Sequence, residues 1–85
     1  MKHINDYGYF EMTLDELLKE KGISKNYLAE HANLQRTQLN TYCKGNIKRP
    51  DFEVLARICY VLNCEISDIV RYVHPTVENG GENNG

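Results

Sequence analysis

The 85-residue sequence has none of the patterns that mark a membrane protein, a secreted protein or a metal site. No apolar run reaches the length of about 20 residues that a membrane span needs, and the N-terminus does not resemble a signal peptide. The three cysteines include no CxxC pair, and the three histidines are scattered away from them. We therefore expect a cytoplasmic protein with no membrane partner, reduced cysteines in its core and no bound metal.

The sequence also lacks a catalytic constellation and a cofactor motif. Its two serines, Ser24 and Ser67, stand near predicted helix starts, where helix capping accounts for both of them. No cysteine has a basic neighbour or helix N-terminus that would clearly activate it, and there is no glycine-rich loop to hold a phosphate. The sequence therefore predicts that the protein is not an enzyme, with no cofactor and no evident small-molecule ligand.

The most informative stretch is ISKNYLAEHANLQRTQLNTYCKG, residues 23–45, which predicts two short helices joined by a tight turn. Ser24 is a good N-cap, because its hydroxyl can accept from a free backbone N–H of the first helical turn. Asn33 stands where the turn needs a positive φ, which asparagine tolerates better than most residues. The second helix is expected to begin at Arg36 and to end at Gly45, a residue type that commonly follows a helix.

The predicted second helix has an apolar side and a polar side. Leu39, Tyr42 and Cys43 fall on the apolar side, at spacings of three and four residues. The polar side carries hydrogen-bonding groups and two positive charges but no carboxylate, and it comprises Gln35, Arg36, Thr37, Gln38, Asn40, Thr41 and Lys44. Arginine, glutamine, asparagine and threonine are residue types that contact base edges or phosphates in DNA.

The charge of the chain is distributed unevenly. The net charge is −2, but residues 24–49 contain five basic residues and one acidic residue, a local charge of +4. The remainder has five basic and eleven acidic residues, a charge of −6. Such a division can orient a protein on a phosphate backbone, so the negative net charge does not argue against nucleic acid.

These features resemble the helix-turn-helix of the Cro and lambda-repressor-like family of DNA-binding domains. The matching residues are LAEHA in the first helix, the turn at Asn33 and Leu34, the inward Leu39 and Tyr42, and Gly45. The next stretch, KRPDFEVLARICYVLNCEISDIV, is similar to the basic Arg-Pro loop of the family, its amphipathic helix and its short last helix. The resemblance covers roughly residues 13–73, most of the chain, and is closest to a branch of small regulators.

The resemblance implies an all-α, five-helix, lambda-repressor-like fold. We expect an N-terminal arm at residues 1–12, a helix-turn-helix domain at residues 13–74 and a disordered tail at residues 75–85, which has almost nothing to bury. In the arm, Tyr7, Tyr9 and Phe10 around Gly8 suggest extended chain. Three alternatives stay open: an arm that caps the core, an arm that pairs with a second chain, and an arm on DNA, which the nearby acidic residues disfavour.

Three further helices are predicted outside the central stretch. A capping box of Thr13 and Glu16 begins the first helix, which precedes the central stretch. Asp51 caps the helix after the basic loop, and Asn63 ends it in a left-handed conformation. Its apolar stripe is predicted to contain Phe52, Leu55, Ala56, Ile58, Cys59 and Leu62. The last helix is predicted near residues 66–73 and is ended by His74 and Pro75.

In function, the resemblance implies a sequence-specific, double-stranded DNA-binding transcription regulator of the repressor type. Helix 36–44 would contact bases in the major groove through Gln35, Arg36, Thr37, Asn40 and Thr41. Phosphates would be held by Ser24, Lys25, Lys44, Lys48 and Arg49. Two copies would act as a homodimer on DNA, since one recognition helix covers one half-site. The alternative is a protein-protein interaction module that keeps the helix-turn-helix fold without specific DNA binding.

The sequence departs from the family at a pair of positions that often hold a buried arginine and glutamate. Leu18 and Cys43 stand there instead, and both are apolar. Since apolar residues can replace a buried ion pair at little cost, we expect these two side chains to meet between the first and the recognition helix.

Overall fold

The computed structural model describes residues 7–44 and 47–75. In these ranges the chain forms strand β1 (Tyr9–Met12), helices α1 (Leu14–Lys21), α2 (Lys25–His31), α3 (Arg36–Lys44) and α4 (Phe52–Leu62), a single 3₁₀ turn (Ile66–Asp68) and strand β2 (Val70–Val73). No helix among the described residues is long and apolar enough to cross a membrane. The predicted end of α3 at Gly45 and nearly all of the predicted tail lie outside these ranges.

The prediction of a fifth helix at residues 66–73, and with it the all-α fold, is wrong. After the 3₁₀ turn the chain extends as β2, which pairs antiparallel with β1. The register runs from Tyr9 opposite Val73 to Met12 opposite Val70. The four residues of β2, VRYV, include three β-favouring side chains. A short apolar run of this kind fits a helix or a strand equally well until a pairing partner is known.

Side chains on the two strands stabilise the small sheet. Glu11 and Arg71 stand opposite each other in the register, and their side chains form an ion pair. The rings of Phe10 and Tyr72, which are also opposite, pack with centroids 5.3 Å apart. These cross-strand contacts join segments about 60 residues apart in the sequence, which no local pattern could have paired.

Thr13 begins α1 without the predicted capping box, and that prediction is wrong. Its side chain forms no capping hydrogen bond. The hydroxyl donates to the carbonyl oxygen of Asp68 at 3.0 Å. The backbone N–H of Thr13 also donates to the carbonyl of Ile69 at 2.8 Å. A capping box does form elsewhere, at Glu65 and Asp68 around the 3₁₀ turn. Thr13 therefore attaches α1 to the end of the fold.

One apolar core joins the four helices to the turns between them and to the residue before β2. Its buried members are Leu14, Leu18, Leu28, Ala29, Ala32, Leu34, Leu39, Tyr42, Val54, Leu55, Ile58, Leu62 and Ile69. Helix α4 begins and ends as predicted, since Asp51 Oδ1 accepts from the N–H of Glu53 at 2.8 Å and Asn63 has φ 53°.

The predicted apolar stripe of α4 is partly wrong. Phe52 and Ala56 are exposed, and Val54 is buried in their place. The buried side of the helix is set by Val54, Leu55, Ile58 and Leu62, which recur at helical spacing, and Phe52 is turned well away from it. A large apolar side chain at the first position of α4 is thus left on the surface.

Candidate nucleic-acid interface

Helices α2 and α3 and the turn between them are built by local signals, as predicted. The Ser24 hydroxyl accepts from the N–H of Tyr27 at 3.0 Å, which confirms this residue as the N-cap of α2. Asn33 has φ 57° in the turn, which confirms the predicted left-handed position. Leu34 is buried beside it, and its N–H donates to the carbonyl of Ala29 at 2.8 Å. The turn therefore fixes α3 against α2.

Helix α3 presents a polar surface opposite a buried one. Leu39 and Tyr42 are buried, as predicted, while Cys43 is half-buried. Among the residues predicted to contact bases, Gln35, Arg36, Thr37 and Thr41 are exposed and Asn40 is half-buried. Arg36, Thr37 and Thr41 lie along the exposed side of α3, and Gln35 directly precedes the helix.

Arg36 is held in place by a residue that sequence reasoning missed. Its Nη1 donates a hydrogen bond to Oδ1 of Asn26, an exposed residue of α2. A guanidinium has five N–H donors in a planar fork, so most of its donors remain for a ligand. The bond links the first turns of α2 and α3, and nothing in the spacing of two residues ten positions apart could have indicated it.

The hydroxyl of Thr41 already has a hydrogen-bond partner within α3. The Thr41 hydroxyl donates to the carbonyl of Thr37 at 3.2 Å, a bond within the helix itself. Its donor is thereby occupied, which leaves its lone pairs and methyl group for contact with a ligand.

The cations predicted to hold phosphates fall into two groups. Lys44, Lys48 and Arg49 are exposed, and across residues 7–44 and 47–75 none of them has a carboxylate within 4.0 Å. Lys25 is different, because it is half-buried and its Nζ lies 4.0 Å from Oδ1 of Asp15. Part of the positive charge of Lys25 is therefore offset by α1.

The basic loop after α3 is anchored by a hydrogen bond across it. The hydroxyl of Tyr42, near the end of α3, accepts from the backbone N–H of Asp51 at 2.8 Å. Tyr42 is only 4% exposed, so the anchor is rigid at its helical end. The bond fixes the two ends of the segment that carries Lys48 and Arg49.

Cys43 lies where charges from three helices converge. Burial raises the pKa of its thiol, and the charge of Asp15 adds to this rise. The charges of Lys25 and Arg36 oppose it by lowering the pKa. Leu18 is buried and α1 packs against α3, but contact of Leu18 with Cys43 remains a prediction.

The geometry agrees with one comparison with known proteins. A family model described as the Cro/C1-type HTH DNA-binding domain matches residues 13–75. A comparison with curated individual proteins gives no match.

Proposed function

The chain belongs to the Cro/C1-type helix-turn-helix DNA-binding family, and from this premise we propose that it is a repressor-like regulator whose helix α3 enters the major groove. Membership makes the chain a DNA-binding domain of a transcription regulator, in a family that is not one of enzymes. The proposal adds the specific surface, the residues in each role and the use of two copies.

The observation that carries the proposal is the exposed side of α3. This side offers Arg36 and Thr37 at the first turn and Thr41 one turn later, with no acidic residue in the helix. In helix-turn-helix proteins the first residues of the second helix contact base edges while the other helix crosses the backbone. The arrangement of α3 against α2 supports the same use here.

We assign base contacts to Gln35, Arg36, Thr37, Asn40 and Thr41. Arg36 is the strongest of these, since its fork can donate to both O6 and N7 of guanine. Its hydrogen bond to Asn26 already restricts the side-chain rotamers of Arg36, so the guanidinium loses less conformational freedom when it binds and is partly pre-organised.

We assign phosphate contacts to Ser24, Lys25, Lys44, Lys48 and Arg49. Lys48 and Arg49 are exposed in the loop that Tyr42 anchors, which suits them to a phosphate beside the major groove. Lys25 is expected to contribute less, because a phosphate must compete with Asp15 for it. The Ser24 hydroxyl already caps α2, so its contact would come through the free N–H groups at the helix start.

The test compares Arg36→Ala with Lys48→Ala by measuring specific and nonspecific affinity at several salt concentrations. Wild type should neutralise about three to five phosphates per copy, with log K falling by about 0.9 per phosphate against log salt. Arg36→Ala should weaken the best duplex by about 1–3 kcal/mol and random duplex far less. Lys48→Ala should weaken both equally and reduce the salt slope by about one unit.

Lys21→Ala is the matched control, because Lys21 is an exposed lysine in the last turn of α1, outside the proposed surface. It should leave the salt slope unchanged. If Arg36→Ala lowered both affinities in the same proportion, Arg36 would be a phosphate contact and the placement of α3 in the groove would be wrong. Absence of binding to any duplex pool in low salt would favour the protein-interaction alternative.

A further inference from the structure

Two of the three cysteines come together where α4 ends, although their spacing in the sequence is not that of a CxxC pair. Cys59 lies in the last turn of the helix, and Asn63 ends the helix with φ 53°. The N–H of Cys64 donates to the carbonyl of Cys59 at 3.0 Å, and the N–H of Asn63 donates to that of Tyr60 at 3.2 Å. These two bonds form a Schellman motif, in which the side chains of the first and last residues commonly touch.

The backbone of this motif places Cys59 and Cys64 within the range of a disulfide. By standard dimensions, the Cα atom of a residue lies about 2.4 Å from its carbonyl oxygen and about 1.5 Å from its nitrogen. The hydrogen bond from Cys64 to Cys59 therefore holds the two Cα atoms less than about 7 Å apart. Beyond about that separation, two cysteines cannot be bridged without movement of the backbone.

The two thiols also act on each other directly. Burial is the largest cause that raises the pKa of Cys64, and the charge of Cys59 and a side-chain hydrogen bond with Cys59 come next. Both of the latter effects weaken with distance, so the two sulfur atoms lie close together. Both residues are half-buried, so a small reagent in the solvent can reach them.

We propose that Cys59 and Cys64 are a reversible thiol–disulfide site, which closes to an intrachain disulfide by exchange with a low-molecular-weight disulfide. The thiolate of one cysteine attacks a sulfur of the reagent, forms a mixed disulfide and releases one reagent thiolate. The thiolate of the other cysteine attacks the protein sulfur of that mixed disulfide, breaks its bond to the reagent and releases the second reagent thiolate. The two cysteines are thereby oxidised by two electrons, and the two reagent thiolates take up the two protons that the cysteines lose.

The pair suits this chemistry better than it suits a metal. A structural zinc site uses four ligands, from cysteine, histidine or carboxylate side chains. Across residues 7–44 and 47–75 there is no cluster of three or more such side chains, so Cys59 and Cys64 have fewer neighbouring ligands than a zinc site requires. Disulfide exchange requires only the two thiols and the reagent.

A disulfide at this site would tie the end of α4 to the segment that follows it. That segment leads into the 3₁₀ turn and to the carbonyls of Asp68 and Ile69, which accept from Thr13 at the start of α1. Besides Cys59, the charges that act on the Cys64 thiol are those of Asp68 and of Lys21, at the end of α1. The site therefore lies outside the surface assigned to DNA, and the inference does not depend on the proposed function.

The test exposes the whole folded chain to oxidised glutathione at about pH 8, because the thiolate is the attacking form and its fraction rises with pH. Mass spectrometry should show an internal disulfide, with the loss of two hydrogen atoms, and a peptide map should join Cys59 to Cys64. Excess dithiothreitol should restore the original mass. The disulfide constrains the unfolded chain, so the oxidised protein should have a Tm higher by about 5 °C or more.

Cys59→Ser and Cys64→Ser should each stop at a mixed disulfide with glutathione, because the second thiol is missing. Cys43→Ser is the matched control, since Cys43 is also half-buried but lies in α3, where the charges of Lys25, Asp15 and Arg36 act on it. This variant should form the same internal disulfide as wild type.

Three results would overturn the inference. The first is a folded chain whose two thiols stay free, or stop at the mixed disulfide, under conditions that fully oxidise the urea-unfolded chain. The second is a disulfide that includes Cys43. The third is an oxidised protein that unfolds at a lower temperature than the reduced one, because the bond would then form only by distorting the end of α4.

Discussion

A hydrogen bond from Asp51 to the Tyr42 hydroxyl joins the end of α3 to the start of α4, and replacing Tyr42 with phenylalanine removes only that bond. The ring stays in the core, where the residue is 4% exposed, and only the hydroxyl that accepts from the N–H of Asp51 at 2.8 Å is lost. Tyr42→Phe therefore leaves the packing of α3 intact and releases the far end of the basic loop.

The expected loss of stability follows from the surroundings of the N–H group. A hydrogen bond contributes about 0.5–1.5 kcal/mol net, and a buried donor left without a partner costs about 1–3 kcal/mol. The residue Asp51 is exposed and its hydrogen bond to Tyr42 is only part-buried, so water can partly replace the lost hydroxyl and the cost should lie near 1 kcal/mol. In a domain of this size that corresponds to a fall in Tm of about 4–8 °C.

The assay is thermal unfolding together with hydrogen exchange of the Asp51 amide. Tyr42→Phe should unfold at a lower temperature and should exchange this amide faster. Tyr60→Phe is the control, because the Tyr60 side chain is 87% exposed and should contribute within about 0.5 kcal/mol. If Tyr42→Phe unfolded at the wild-type temperature, or if the control lost as much, the junction would not stabilise the loop.

Two further predictions concern single side chains. Burial, and next the neighbouring Cys59, raise the pKa of the Cys64 thiol from the ordinary 9.0 to about 11. Since the folded protein holds this proton more tightly, the stability that this thiol contributes should be fully present below about pH 9 and should be lost as the pH rises toward 11. If a Cys64→Ala variant lost the same stability over this pH range, another group would be responsible. Asn26→Ala should weaken specific DNA binding by about 0.5–1.5 kcal/mol, because Arg36 loses its anchor, with little change in Tm; unchanged affinity would mean that the bond does not position Arg36.

The helix-turn-helix unit could be predicted from the sequence because its signals act over a few residues. A helix forms its backbone hydrogen bonds within four positions, so the N-cap at Ser24 and the start of α3 at Arg36 follow from nearby residue types. The left-handed Asn33 is equally local, since it depends on the steric tolerance of one residue. The polar side of α3 follows in turn from the burial of Leu39 and Tyr42 at helical spacing.

The bond between Arg36 and Asn26, by contrast, depends on how α2 and α3 pack and on the rotamer that Arg36 adopts. The offset of Lys25 by Asp15 depends in the same way on the position of α1. The sequence indicated which residues of α2 and α3 form this surface, whereas these two contacts determine how the side chains of Arg36 and Lys25 are held on it.

The tertiary structure alone decided the strand β2, the hydrogen bond of Thr13 and the exposure of Phe52. The backbone partners of a strand lie on another strand, so β2 could not be identified until β1 was known to lie beside it. The Thr13 hydroxyl likewise donates to a carbonyl 55 residues away rather than capping its own helix. The side chain of Phe52 is apolar, but whether it enters the core depends on which side of α4 the other helices cover. Contacts between distant segments determine all three, because their energy depends on packing that no local pattern contains.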